Sequence, residues 1–245
     1  MPRKTKLAVI GGTSLLQADW LAKAKKINIR TSSGSVTLLQ NDQIVFLQRH
    51  GQKAYTPPHL INHKAHLAAL FKLGVEKILA VGSVGSLHPG MPPGTLFIPD
   101  DFYAPQVNNS FYNDVRGHIA PGFPAQWRAQ ILAAWEKTSL PLPVHGGVYW
   151  QTTGPRFETP AEIRMHQNFC HTVGMTIASE CILAAELNIP YAALCMVDNL
   201  ANGVEGSTIS YETFKQQVQS NRQTLLKILD ALLKELLKIV YVSEK

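Results

Sequence analysis

Residues 77–85 read KILAVGSVG. Four apolar residues, Ile78 to Val81, run straight into Gly82, Ser83, Val84 and Gly85. A short apolar run closed by glycine is the pattern of a strand buried on both faces. The small residues after it let the backbone come close to a ligand, and Ser83 adds a donor. They also suit a loop that only has to pack tightly, so this stretch alone leaves its role open.

The same pattern recurs in both directions. LAVIGG (7–12), QIVFLQRHG (43–51), GTLFIPDDF (94–102), HGGVYWQTTG (145–154) and YAALCMVDN (191–199) are each apolar and bounded by Gly, Pro, Asn or Asp. They read as buried or half-buried strands. Helical spacing fills the gaps between them. Residues 60–74 carry it up to Gly74, a helix-ending signal, and residues 161–172 and 177–190 carry it again, the last stopped by Pro190. The longest runs over residues 213–240, with Leu225, Leu229, Leu232 and Leu236 on one face. Alternating strands and helices of these lengths predict an α/β fold, a mixed but largely parallel sheet flanked by helices on both sides. No repeat, linker or low-complexity tract divides the chain, so residues 1–245 are expected to form a single domain.

Bulk properties narrow the function. Of 245 residues, 45% are hydrophobic and 16% charged, which suits a globular chain and not a disordered one. No apolar stretch nears the roughly 20 residues of a spanning helix. The N-terminal Leu7–Ile10 run is too short for a signal peptide and ends in Gly-Gly. Cys170, Cys181 and Cys195 fit neither a disulfide framework nor a metal knuckle, so a reducing cytoplasm is the expected location. The formal charge is +6. The basic residues are scattered without interleaved aromatics, which argues against nucleic acid; a phosphate-bearing substrate would favour the same charge.

Five loop stretches hold chemically useful side chains. Gly11-Gly12-Thr13-Ser14 follows the first strand and can cradle an anion, although it is neither GxGxxG nor a P-loop. Gln48-Arg49-His50-Gly51 puts a bidentate phosphate binder at a strand's C-terminal end, where open α/β sheets hold ligands. Gly82-Ser83 is the third. GPRFETPAE (154–162) sets an aromatic ring and a carboxylate between a turn and a helix start. There the ring can pack in a core and the carboxylate can cap the helix, or both can serve a planar ligand. Residues 173–180, VGMTIASE, together with Asn199, a residue type that offers a donor and an acceptor at once, complete the set. This is the inventory for a ligand with a phosphate, a sugar and a flat heterocycle.

In this order, GGT, RHG followed by P-H-x-I-N, GSL, SFY, GPRFET-x-AE and VGMT-x-x-SE resemble the trimeric purine nucleoside phosphorylases, and within them the methylthioadenosine phosphorylase branch. The likeness runs from about Leu7 to the last helix. It implies phosphorolysis, the attack of inorganic phosphate on C1′ of a nucleoside, in a homotrimer that needs no metal and no organic cofactor. By the same resemblance Thr13, Arg49, His50, Gly82, Ser83 and Thr176 hold phosphate. Met175 packs on the sugar, Phe157 lies against the base, and Asn199 acts at the leaving purine. His118 reaches a neighbouring subunit's 5′ pocket.

Departures from the branch sharpen the expectation. It has Ser at the Glu158 position and Asp at the Asn199 position, and its second Asp aligns with Ala201. Glu158 and Asn199 match enzymes of 6-oxopurines: the carboxylate accepts from N1–H, and the amide satisfies O6 and N7. Where nucleoside enzymes with a free 5′-hydroxyl carry a His, this chain has Ile209 or Ser210, and Ile209 would make an apolar wall for a methylthio group. The combination implies S-methyl-5′-thioinosine as substrate. Inosine or guanosine comes next, and would be reopened if Ser210 made the 5′ contact; methylthioadenosine comes third. A His that the branch carries five residues past Arg49 is Ala54 here, which bears on how that loop closes.

Overall fold

The structure is a computed structural model, and it describes residues 7–242 except 13, 14, 16, 17 and 53. One sheet of eleven strands runs through it. At its centre β1 (Leu7–Gly11) lies parallel to both β4 (Ile44–Gln48) and β5 (Lys77–Ser86). The far edge of β5 pairs in parallel with β11 (Tyr191–Leu200). Six of the ten strand pairings are parallel, as an α/β chain with crossover helices requires.

Strict alternation along these strands builds two cores. Ala8 and Ile10, Val45 and Leu47, Ile78 and Ala80, and Ala193 and Cys195 face one side. That side is covered by α1 (His63–Lys72) and α4 (Ile177–Glu186). Leu7 and Val9, Ile44 and Phe46, Leu79 and Val81, and Leu194 and Met196 face the other. There the cover is α2 (Ala125–Glu136) and α5 (Tyr211–Val242). A strand buried on both faces has no polar face to show, which is why these segments read as unbroken apolar runs.

Sequence patterning missed or misdrew several elements. The hairpin of β2 (Lys25–Thr31) and β3 (Gly34–Gln40) was not expected; its outer strand is largely exposed and polar, so no apolar run marks it. Helix α2 was missed as well. It buries Trp127, Ile131, Ala134 and Trp135 at helical spacing, but its N-cap is Pro124, without a side-chain capping bond. GTLFIPDDF splits at Pro99 into β6 (Leu96–Ile98) and β7 (Asp101–Tyr103), since proline cannot donate to the ladder. HGGVYWQTTG splits at Gly146 and Gly147, both at positive φ, into β8 (Val144–His145) and β9 (Val148–Gln151). The helix expected over 161–172 is α3 (Pro160–His166), and Thr172 already belongs to β10 (Thr172–Gly174).

This topology brings the C-terminal ends of β1, β4, β5 and β11 to one edge of the sheet. Parallel α/β sheets place their ligand sites at such an edge.

Candidate active site

A cavity of about 530 Å3 opens at this edge, within the usual range for a small-molecule site. Arg49, His50, Gly82, Ser83, Thr176, Met175, Phe157, Glu158, Asn199, Ala201 and Ile209 all line it. Residues expected from six separate stretches of chain therefore meet in one place. Thr13 lies outside the described residues.

Arg49 follows β4 directly and is almost wholly buried. Its Nε and Nη2 donate to the two carboxylate oxygens of Glu180 on α4, at 2.5 and 2.9 Å, and Nη1 donates to the Val81 carbonyl. Burial by itself would lower the Arg49 pKa, but Glu180 outweighs it and keeps the guanidinium charged. Burial works to raise the Glu180 carboxyl; the Arg49 charge overrules it and holds the group below the ordinary range. The Tyr191 hydroxyl donates to the same carboxylate. This clamp fixes the plane of the guanidinium while leaving other N–H groups for a ligand, since a guanidinium carries five. Glu180 was read only as part of a motif; its work as the partner of Arg49 needed the fold to bring residues 131 positions apart together.

The Nδ1 of His50 lies 2.9 Å from the Thr56 carbonyl, so Nδ1 carries the hydrogen and Nε2 is left as the acceptor. The ring stacks on Tyr55. Burial, then the Arg49 charge, lowers its pKa, so it is neutral at pH 7. Thr176 is the N-cap residue of α4, yet its side chain makes no capping bond. The Tyr149 hydroxyl accepts instead from the Thr176 and Ile177 amides.

The GPRFET stretch divides its labour. The helix cap is Thr159, which accepts from the Glu162 amide while Glu162 bonds back to the Thr159 amide. Glu162 also pairs with Arg156. Glu158 is thereby free of capping duty, buried, and part of the cavity wall. Its carboxylate accepts from the Thr152 hydroxyl at 2.6 Å. Burial raises its pKa, and the Thr152 bond only partly opposes the rise. The ring of Phe157 lies 5.8 Å from that of Phe214, tilted by 60°. The Asn199 amide donates to the Leu200 carbonyl. Met175 is wedged against Gly154, whose positive φ and lack of a side chain make room: a Cβ there would come within 2.6 Å of the Met175 sulfur.

Ile209 and Ser210 separate cleanly. Ile209 lines the cavity, whereas Ser210 is exposed and caps α5, its hydroxyl accepting from the Thr213 amide and the Thr213 hydroxyl accepting from the Ser210 amide. His118 sits on an exposed loop after a short 3-10 turn, outside the cavity lining of its own chain. Ala54 is exposed, in the loop that also carries Tyr55.

Helix α5 supplies a wall that sequence reasoning missed. Tyr211, Phe214, Val218, Asn221 and Leu225 all line the cavity. Their spacing of three and four continues the Leu225–Leu236 stripe toward the helix N-terminus, so the signal was present, but polar residues among them hid it. Asp198 was missed too, although it adjoins Asn199 in the strand-end stretch.

An arginine clamp, a serine-glycine loop, a carboxylate, an amide and an apolar wall surround one cavity. The chain matches the model of the Phosphorylase superfamily over residues 6–234. It belongs to that family and, within it, to the purine nucleoside phosphorylases. Among similar proteins, one from Archaeoglobus fulgidus named "Probable 6-oxopurine nucleoside phosphorylase" is 35% identical, covering 94% of this chain and 96% of its own. One from Pseudomonas syringae pv. tomato named "Probable S-methyl-5'-thioinosine phosphorylase" is 34% identical, covering 93% and 99%. The fold is that of a methylthioadenosine phosphorylase from Schistosoma mansoni solved with adenine, with a TM-score of 0.83 at 24% identity over 98% of this chain and 93% of that one. Among the described residues no helix is long and apolar enough to cross a membrane, and no three His, Cys, Asp or Glu side chains are grouped to hold a metal.

Proposed function

We propose that the enzyme phosphorolyses S-methyl-5′-thioinosine, giving hypoxanthine and 5-methylthioribose 1-phosphate, as a cytoplasmic homotrimer without a metal or organic cofactor. The observation that carries the base half is Glu158, released from helix capping by Thr159 and set in the same wall as Asn199. An ionised carboxylate accepts from the N1–H of a 6-oxopurine. Adenine offers a lone pair there, and an unmatched buried pair costs about 1–3 kcal/mol. The Asn199 amide suits O6 and N7, where negative charge develops as the base departs. Ala201 presents no second carboxylate to a 6-amino group.

The sugar half rests on Ile209, Phe214 and Val218, an apolar surface beside Phe157. A methylthio group is at home against such a wall, whereas a hydroxyl left unpaired there is penalised. Phosphate held by Arg49, His50, Ser83 and Thr176 attacks C1′ as the glycosidic bond breaks. Holding it in place supplies both the nucleophile and the charge that stabilises a cationic sugar. In the trimer, His118 of a neighbouring subunit would close the 5′ pocket.

Inosine or guanosine is the second reading. It is favoured by the Tyr211 side chain in the same wall, whose hydroxyl can pair with a 5′-hydroxyl, and by the name of the Archaeoglobus relative. Comparing kcat/KM for S-methyl-5′-thioinosine and inosine, with and without phosphate, decides between them. A preference for inosine would overturn the 5′ assignment and leave the base assignment intact. No turnover without phosphate but rapid turnover with it is required by either.

A further inference from the structure

Asp198 is a buried carboxyl in the cavity wall for which the residues named so far leave no role. It is 3% exposed. The register of β11 on β5 slips at this residue: Val197 pairs with Val84 and Asn199 with Gly85, so Asp198 is the extra residue of a β-bulge. Bulges re-aim side chains next to active sites. Here the bulge turns the carboxyl between β5 and α5. One oxygen accepts from the Ser83 hydroxyl, and the other accepts from the Asn221 amide at 2.8 Å. Six titratable or charged side chains share the cavity with it: Arg49, His50, Tyr55, Arg156, Glu158 and Tyr211. None of the cations is hydrogen-bonded to it, and the Arg49 charge is already engaged by Glu180.

A hydroxyl has one hydrogen to give. While Asp198 is ionised, the Ser83 hydrogen is spent on it, and Ser83 shows a bound anion only lone pairs. A phosphate dianion in the cradle would also stand beside a second negative charge. A like charge nearby disfavours the ionised form, so anion entry and protonation of Asp198 are linked. We propose that Asp198 is a positioning residue of the phosphate site, taking one proton from solvent as the anion binds, donating it back toward Ser83, and so turning the Ser83 hydroxyl onto the anion. The proton returns to solvent when the anion leaves. Burial raises the carboxyl's pKa, with the Ser83 and Asn221 bonds opposing it, which is the direction the linkage needs.

This inference rests on the phosphorolytic reading above, and the test separates the two. Inorganic sulfate does not titrate between pH 6 and 9, so the pH dependence of its binding belongs to the protein. Its dissociation constant is measured by calorimetry across that range for the wild type, Asp198→Asn and Asn221→Ala. In the wild type, affinity should fall with rising pH by up to about tenfold per pH unit, the limit for one linked proton. Asp198→Asn should bind more tightly than wild type at pH 8 and lose up to one proton of this slope, keeping only what His50 contributes. Asn221→Ala removes a donor to the ionised carboxylate, so it should also bind more tightly at pH 8 while the linked proton uptake remains. If wild type and Asp198→Asn show the same slope and affinity, while phosphate-dependent release of base is intact, the role of Asp198 is overturned and the function stands. If neither sulfate nor phosphate binds the wild type and no base is released, the reading of the site fails, and the inference with it.

Discussion

At the scale of the residue, Glu158 is the group proposed to read the base. Replacing it by Gln keeps the volume, removes the charge and puts a donor next to an acceptor. Glu158→Gln is expected to lower kcat/KM for a 6-oxopurine nucleoside by about 10- to 100-fold, the loss of a hydrogen bond to a charged group, while 6-aminopurine turnover holds or rises. Equal losses on both bases would show that Glu158 only supports the loop. A second residue-level consequence concerns His63 and His66 on α1, whose Nδ1 atoms are buried without a hydrogen-bond partner. Burial is the main cause that lowers both to about 4 from 6.5. Their folded pKa values lie below the unfolded ones, so between about pH 6.5 and 4 the unfolded chain binds more protons and stability falls as pH falls. Fully expressed, this is about 3 kcal/mol for each ring. Urea midpoints at pH 7.5 and 5 should differ accordingly, and His66→Asn should lessen the difference; pH-independent midpoints would contradict the neutral, buried assignment. The place of Arg49 and Asn199 in the cavity wall could be read from sequence because both stand at the ends of apolar strand runs. The buried, neutral state of the two histidines could not, because it depends on which side chains the fold packs around them.

At the scale of the element, α5 does two jobs with one stripe. Over 32 residues, about 48 Å, its Leu225–Leu236 part fills the core under the sheet and its Tyr211–Leu225 part walls the cavity. Ser210 only starts the helix. Ser210→Ala should therefore cost about 1 kcal/mol of stability as a lost cap, with kcat/KM nearly unchanged for every nucleoside. Ile209→His should instead raise inosine turnover relative to S-methyl-5′-thioinosine by placing a donor in the apolar wall. A large activity loss in Ser210→Ala with unchanged stability would reverse the two assignments. The choice between Ile209 and Ser210 was open in the sequence because neighbouring residues share a composition but not a direction. Hairpin β2–β3 and helix α2 were illegible for other reasons: one lacks an apolar run, and the other lacks a capping signal at its start.

At the scale of the whole molecule, the alternating apolar runs were enough to foretell a mixed sheet between two helical layers, since strands buried on both faces leave that signature. Where those strands end also foretold the edge at which the cavity opens. What lay beyond reach was long-range pairing, such as Glu180 with Arg49 and Asp198 with Asn221, because no local pattern records it. The exposed place of His118 suits a residue used across an interface. Sedimentation is expected to show a trimer, and a monomer at full activity would remove that role. The measurement that tests the central claim most directly is phosphate-dependent kcat/KM for S-methyl-5′-thioinosine beside inosine, methylthioadenosine and adenosine. The expected result is a clear preference for S-methyl-5′-thioinosine, with both 6-aminopurine nucleosides poor. A preference for methylthioadenosine would contradict the account at its root, because it would mean that Glu158 and Asn199 do not read a 6-oxopurine.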